Sequence, residues 1–272
     1  MRGASRASLS AAKERLSAAL VGGHAAQATQ VGEELFAVVG LLDSEPGLRR
    51  SLSDPSRDRA ARSGLAEALL AGKISDPTLE LVKVLVGARW SEPGDLADAA
   101  EELAVLAIAE AADCEGKLDD LEDDLFRFSR IVQGSPDLRS ALSNQFVPAE
   151  ARRSVVTELV AGKVIEPALR LITQAAAHPR GRSLDAALEA YANLAAELRE
   201  RLVAEVHVAV PLTDEQRGRL AAALVAAFGH DVHLNVVLDP EVLGGMSVRI
   251  GDELINGSVA SRLAELRRDL AA

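Results

Sequence analysis

The sequence predicts a mainly α protein: two tandem antiparallel helical bundles followed by a small α/β domain. Three observations predict it. Ala, Leu, Arg and Glu dominate the 272 residues and only 3% are aromatic, which favours helices over sheets. Apolar residues recur at helical spacing up to about residue 200, then switch to strict alternation. One stretch also occurs twice: residues 34–89 return about ninety positions later as residues 124–179. Leu35-Phe36 matches Leu125-Phe126, and Pro46-Gly47-Leu48-Arg49 matches Pro136-Asp137-Leu138-Arg139. Ala71-Gly72-Lys73 matches Ala161-Gly162-Lys163, and Pro77, Leu79 and Leu81 match Pro167, Leu169 and Leu171. The shared residues are breakers, caps and apolar positions, and none forms a catalytic pair. A duplicated scaffold of this kind points to an interaction protein.

Each element follows from local pattern. Leu9, Ala12, Leu16 and Leu20 place a helix over 4–20, ended by Gly22-Gly23. Val31, Leu35, Val38 and Leu42 place a second over 27–42, and a short helix follows the Ser44–Gly47 turn at 48–52. Asp54-Pro55 predicts the start of the next helix, because Pro lacks only an N–H that the first turn leaves unpaired anyway. That helix is expected to stop at Gly72, a residue suited to a left-handed C-cap. Asp76-Pro77 opens another, and residues 96–112 form a long Ala-rich helix. The pattern then restarts: Leu118, Leu121, Leu125, Phe128 and Val132 make one stripe, 148–160 and 167–177 repeat the capped pair, and 183–202 closes the set. The expected boundaries are a first bundle at 1–110, a second at 111–200 and the α/β domain at 201–272, with helix 96–112 shared in reach of both bundles.

In the last segment Val206, Val208 and Val210 alternate as a half-buried strand ended by Pro211. Thr213-Asp214-Glu215-Gln216 reads as a capping box opening a helix, with Leu220, Ala223, Leu224, Ala227 and Phe228 on its apolar face. Val232, Leu234, Val236 and Leu238 form a second strand, and residues 246–250 a third. Gly251-Asp252 fits a tight hairpin turn, Leu254-Ile255 starts the return strand, and Asn256-Gly257 turns into a last helix capped by Ser258.

Composition bounds the function. A net charge of −11 argues against nucleic acid and against direct docking on anionic lipid, since both need a basic surface. Residues 110–124 concentrate the acid, with Lys117 as their only cation, and read as a solvated helix face at a module junction. Cys114 is the lone cysteine, so no intramolecular disulfide can form and a reducing compartment fits. No signal-peptide core follows the first residues and no apolar run reaches membrane-spanning length, so a soluble, cytoplasmic chain is expected.

Candidate sites are few. His230 and His233 lie three apart at a strand entrance with no third ligand near, and read as surface residues, with no metal site. Gly244, Gly245 and Gly251 fit no phosphate-loop pattern and read as turn geometry. Ser247 and Ser258 lack a nucleophile elbow. Arg249, Asp252 and Arg262 could form a hydrolytic site in principle, but a turn residue and ion-pair roles explain them more simply. Trp90 and Tyr191 read as amphipathic residues capping the two bundles. No catalytic residue, cofactor or metal is predicted.

One run is specific. Leu243-Gly244-Gly245-Met246-Ser247-Val248-Arg249-Ile250-Gly251-Asp252, then Ile255-Asn256-Gly257-Ser258-Val259, then Arg262-Leu263, closely resembles the C-terminal signature of the delta subunit of F-type ATP synthase, whose mitochondrial counterpart is the oligomycin-sensitivity-conferring protein. Its signature residues here are Gly244, Gly245, Arg249, Gly251, Asp252, Asn256, Gly257, Ser258, Arg262 and Leu263, with Asn256 in place of the usual Asp. The helical modules resemble the family too, except that the usual member has one and this chain has two. The resemblance implies a non-catalytic stator subunit of the peripheral stalk. In such a subunit the helical part grips N-terminal helices of the alpha subunits on the catalytic head, and the C-terminal part holds the b-type stalk. It implies a place at the cytoplasmic face of the cell membrane, reached only through the complex. A generic helical-repeat scaffold with unrelated partners is the alternative.

Overall fold

The computed structural model describes residues 1, 3–143, 147–201, 203–228, 233–239, 245–250 and 253–256. They form two compact units, Met1–Ala196 and Glu197–Ala272. The protein is mainly helical, with one small sheet toward the C-terminus.

The first unit contains α1 (Gly3–Leu20), α2 (Ala25–Ser44), α3 (Pro46–Ser53), α4 (Arg59–Leu70), α5 (Asp76–Gly87) and α6 (Pro93–Cys114). It continues with α7 (Leu118–Gly134), α8 (Pro136–Ser143), α9 (Ala149–Val160), α10 (Glu166–Ala177) and most of α11 (Leu184–Arg201), whose last residues belong to the second unit. A shift of ninety residues lays α3, α4 and α5 onto α8, α9 and α10 end for end. The same shift lays α1 on α6, and α6 on α11. Helix α6 therefore serves twice, as the sixth helix of the first copy and the first helix of the second. Its sequence suits both roles. Fifteen of its twenty-two residues are buried, among them Ala97, Ala100, Ala104, Ala107 and Ala111. A helix apolar over most of its circumference can be packed from more than one side.

Small residues set the closest approach in this unit. Gly32 of α2 sits against α6 so tightly that a Cβ there would lie 2.7 Å from Ile108 Cδ1 and 3.1 Å from the Ala104 carbonyl. Leu35, Leu96, Leu103 and Ile108 fill the surrounding core and are inaccessible to solvent. A Glu92–Asp95 capping box with Pro93 at the first turn fixes where α6 begins. Gly72 and Gly162 both take the left-handed conformation, φ +73° and +70°, where α4 and α9 end.

One helix start differs from the sequence expectation. Asp54-Pro55 does not open α4. The Asp54 carboxylate accepts from the Ser56 N–H and hydroxyl, and the Arg57 N–H donates to the Asp54 carbonyl. These bonds close a local turn that competes with helix, so α4 begins only at Arg59.

In the second unit, β1 (Val203–Val208), β2 (His233–Leu238), β3 (Met246–Ile250) and β4 (Glu253–Asn256) form a sheet of order β2-β1-β3-β4. β1 and β2 are parallel, and α12 (Asp214–Phe228) makes the crossover between them; the other pairs are antiparallel. Ala204, Val206, Val208, Val248 and Ile250 turn one face of the sheet toward Leu224 of α12, with Leu220 beside it. Thr213 Oγ1 accepts from the Gln216 N–H while Gln216 Oε1 accepts from the Thr213 N–H, the reciprocal cap that the sequence predicts.

Three sequence expectations move here. The first strand lies two residues earlier than its valine alternation suggested: Val208 is the last paired residue and Val210 is 70% exposed. The ladder ends there because its partners run out at Leu238 and Met246. Ala223 lies on the exposed side of α12, and Leu238, the last residue of β2, is also exposed. The expected Gly251-Asp252 turn and the helix after Ser258 lie outside the described residues. No helix among those described is long and apolar enough to cross a membrane.

Candidate functional site

The duplication is visible in polar contacts as well as in spans. In the first copy, Glu34 of α2 accepts from the Ser75 N–H, the Ser75 hydroxyl and the Thr78 hydroxyl, tying down the start of α5. Burial alone would raise the Glu34 pKa, but these bonds and one from Gln30 bring it below the usual carboxylate value. In the second copy, Asp124 of α7 accepts from the Ile165 N–H at the start of α10. Buried arginines serve the other ends. Arg62 donates to the Ala88 and Gly87 carbonyls behind α5, and Arg152 to the Ala177 carbonyl at the end of α10. Each pair is ninety residues apart, and each satisfies helix-end groups that would otherwise be left without partners.

A charged cluster joins the copies. Arg180 lies between α10 and α11 and is the one non-glycine residue with positive φ, +51°, among those described. Its guanidinium reaches Asp43 of α2 at 2.7 Å, Asp98 of α6 at 3.0 Å and Glu101 of α6 at 2.6 Å. Arg182 donates to the other Glu101 oxygen at 2.5 Å, and the Tyr191 hydroxyl of α11 donates to it at 2.7 Å. Glu101 is 5% exposed, so all its charge is answered inside the protein. Burial and the Glu101 charge together hold the Tyr191 phenol well above its ordinary pKa, which keeps it a donor. Tyr191 is thus a buried partner of Glu101 and not a bundle cap. Trp90 is buried too, its indole N–H donating to the Leu85 carbonyl at 2.8 Å. Arg170 of α10 adds an ion pair to Glu33 of α2.

The acidic stretch 110–124 is only partly a solvated face. Asp119, Asp120 and Asp123 are exposed, but Asp124 is buried in its helix-capping role. Glu110 is half-buried, and burial with the nearby Asp113 charge raises its pKa to about 7. Partial desolvation and the Glu110 and Asp113 charges raise the Cys114 thiol, the opposite of what a reactive thiolate needs.

The second unit carries the described part of the family signature. Gly245 has φ +81°, a conformation suited to glycine, at the entrance to β3. Arg249 is exposed on β3, directly opposite Glu205 of β1, and Asn256 of β4 pairs with Ser247. Gly244, Gly251, Asp252, Gly257, Ser258, Arg262 and Leu263 lie outside the described residues, as does His230. His207, which the sequence did not single out, stands 3.3 Å from both Glu205 and Asp239. No group of acids, histidines and cysteine able to hold a metal occurs among the described residues.

The two copies differ at one groove. Between α7, α8 and α9 lies an open cavity of about 320 Å³ lined by Phe128, Ile131, Leu138 and Leu159. The matching positions of the first copy, Val38, Leu41, Leu48 and Leu69, surround a cavity of only about 10 Å³. In the first copy α3 packs on α2, α4 and α6 and closes that space.

Comparison with known proteins agrees with the signature. The sequence model of one family, ATP synthase delta (OSCP) subunit, matches residues 103–270. ATP synthase subunit delta of Streptomyces avermitilis is 48% identical over 99% of this chain and 98% of its own length. The subunit delta of Streptomyces griseus subsp. griseus is 48% identical, and that of Thermobifida fusca 46% identical, each aligned over the whole of both chains.

Proposed function

The chain belongs to the ATP synthase delta (OSCP) family and is a peripheral-stalk subunit, and we propose that it ties the alpha subunits at the top of the catalytic head to the b-type stalk. In this reading the helical copies, 1–110 and 111–200, hold N-terminal helices of the alpha subunits. The α/β segment, 201–272, holds the stalk, and the signature residues from Gly244 to Leu263 shape that segment. The chain performs no bond chemistry of its own and sits at the cytoplasmic face of the cell membrane through the complex.

The observation that carries the reading is the full-length match to delta subunits. The geometry is what such a role needs. Helical grooves accept amphipathic partner helices. A unit cross-braced by Arg180, Arg182 and Glu101 resists bending between its copies. A stator must stay attached under torque, so Kd in the nanomolar range, about −12 kcal/mol, is expected.

The test is titration of the full chain with an alpha-subunit N-terminal peptide and with a soluble b-type fragment. Binding of both supports the reading, and binding of neither rejects it. Deleting 201–272 is expected to abolish stalk binding and leave peptide binding. Equal loss of both would contradict the division of labour.

A further inference from the structure

We propose that the open groove between α7, α8 and α9 seats an amphipathic helix of a partner, one whose apolar stripe is flanked by carboxylates. This goes beyond the stalk reading, because it names one face of one copy and the chemistry of what fills it.

The internal repeat supplies the argument. Both copies descend from one pattern, so the first shows what a filled groove looks like. There Leu41 and Leu69 are at least half-buried. Their counterparts in the second copy stand open: Ile131 is 53% exposed and Leu159 40%. Both line the cavity between α7, α8 and α9, together with Phe128 and Leu138. Apolar groups clustered around a concavity mark a docking surface more than a tolerated accident.

Charge names the occupant. Arg127 of α7, which lines the groove, stands where the first copy has Ala37. Arg127 is 65% exposed and keeps one contact of 3.5 Å to Asp124, which is itself engaged with the Ile165 N–H. Lys163, also lining the groove, spends its ammonium on the Leu159 carbonyl, a contact open to exchange. On a chain of net charge −11, a lining with two cations, Arg127 and Lys163, against one carboxylate, Asp124, around apolar side chains selects against most of the chain's own surface and for an acidic partner. Leucine-like residues at i, i+3, i+4 and i+7 would fill the space that α3 closes in the first copy.

The experiment uses the full chain and two labelled helical peptides of equal length. Both carry leucine at those spacings; one is flanked by Glu and the other by Lys. Fluorescence anisotropy is expected to give the Glu peptide a Kd below ~100 μM and the Lys peptide a Kd at least ~10-fold weaker. Ile131→Glu and Leu159→Glu, both at exposed positions, are expected to weaken the Glu peptide by at least ~10-fold while helicity and melting temperature stay unchanged. Leu69→Gln, at the matching position of the first copy, is expected to leave peptide affinity alone. Absence of Glu-peptide binding, or binding untouched by Ile131→Glu and Leu159→Glu in folded protein, overturns the proposal. Failure of the alpha peptide and b fragment to bind, with the Glu peptide still seated here, would sink the stalk partners and leave this groove standing.

Discussion

Removing Arg180 tests how firmly the two helical copies are joined. Its guanidinium faces three carboxylates supplied by α2 and α6, and its own side chain is 11% exposed. Glu101, 6% exposed at the side chain, loses one of two cationic partners in Arg180→Ala. Breaking one member of a buried pair costs about 3–5 kcal/mol, and the remaining Arg182 and Tyr191 bonds place this case at the low end. Asp43 and Asp98 are 33% and 52% exposed, so each contact adds at most about 1 kcal/mol after solvent screening. A net loss of about 3 kcal/mol follows. Arg180→Gly removes the same contacts but relieves the left-handed backbone at φ +51°, worth about 1 kcal/mol, so it should cost about 2. Urea unfolding followed by circular dichroism reads both. With a slope of about 3 kcal/mol per M for a unit this large, the Ala variant should shift the midpoint down by about 1 M. A loss below about 0.5 kcal/mol, or a Gly variant less stable than the Ala variant, would refute the account of this cluster.

Other expectations follow from the same geometry. Gly32→Ala should destabilise the protein by about 1–3 kcal/mol, because α2 must back away from Ile108 and the Ala104 carbonyl, and the gain in helix propensity offsets only about 1 kcal/mol; an unchanged melting temperature would contradict the close packing. Arg62→Ala and Arg152→Ala should each cost about 2 kcal/mol by leaving helix-end carbonyls bare, and their near equality is the signature of a repeated device. Glu110 gives a pH dependence. Its folded pKa, about 7, lies above the ordinary 4.5, so the folded state binds the proton more tightly and stability declines as pH rises from 4.5 through 7. Glu110→Gln should therefore gain about 3 kcal/mol over the parent at pH 8 relative to pH 4, read by denaturant titration at both values; parallel curves would contradict the burial of this carboxyl.

Much of the fold was legible because local chemistry fixes it. Pro77, Gly72, Thr213 and Gln216 act within a turn or two of themselves, and the structure uses them as the sequence implies. The repeat was legible for the same reason, since breakers recur at one spacing. What escaped depends on distance along the chain. Arg180 meets Asp43 across 137 residues and Glu101 across 79, and no period in the sequence joins them. Nothing local marked Glu101 either, since it sits beside Glu102 and three residues after Asp98 on α6. The Asp54 turn escaped because Asp-Pro suits a helix start and a turn equally, and the Ser56 bonds decided between them. The open groove escaped because an apolar stripe looks the same whether it packs inward, as at Leu41, or stands exposed, as at Ile131. The signature run pointed to the family without geometry, since turn residues at fixed spacing are visible as letters.

The central claim is that this chain holds a rotary motor together without reacting. The most direct measurement is ATP-driven proton pumping by reconstituted complexes stripped of this subunit, before and after it is added back. The account predicts that the stripped complex still hydrolyses ATP but does not pump, and that adding the chain restores pumping. Full pumping without the chain, or no recovery with it, would contradict the account.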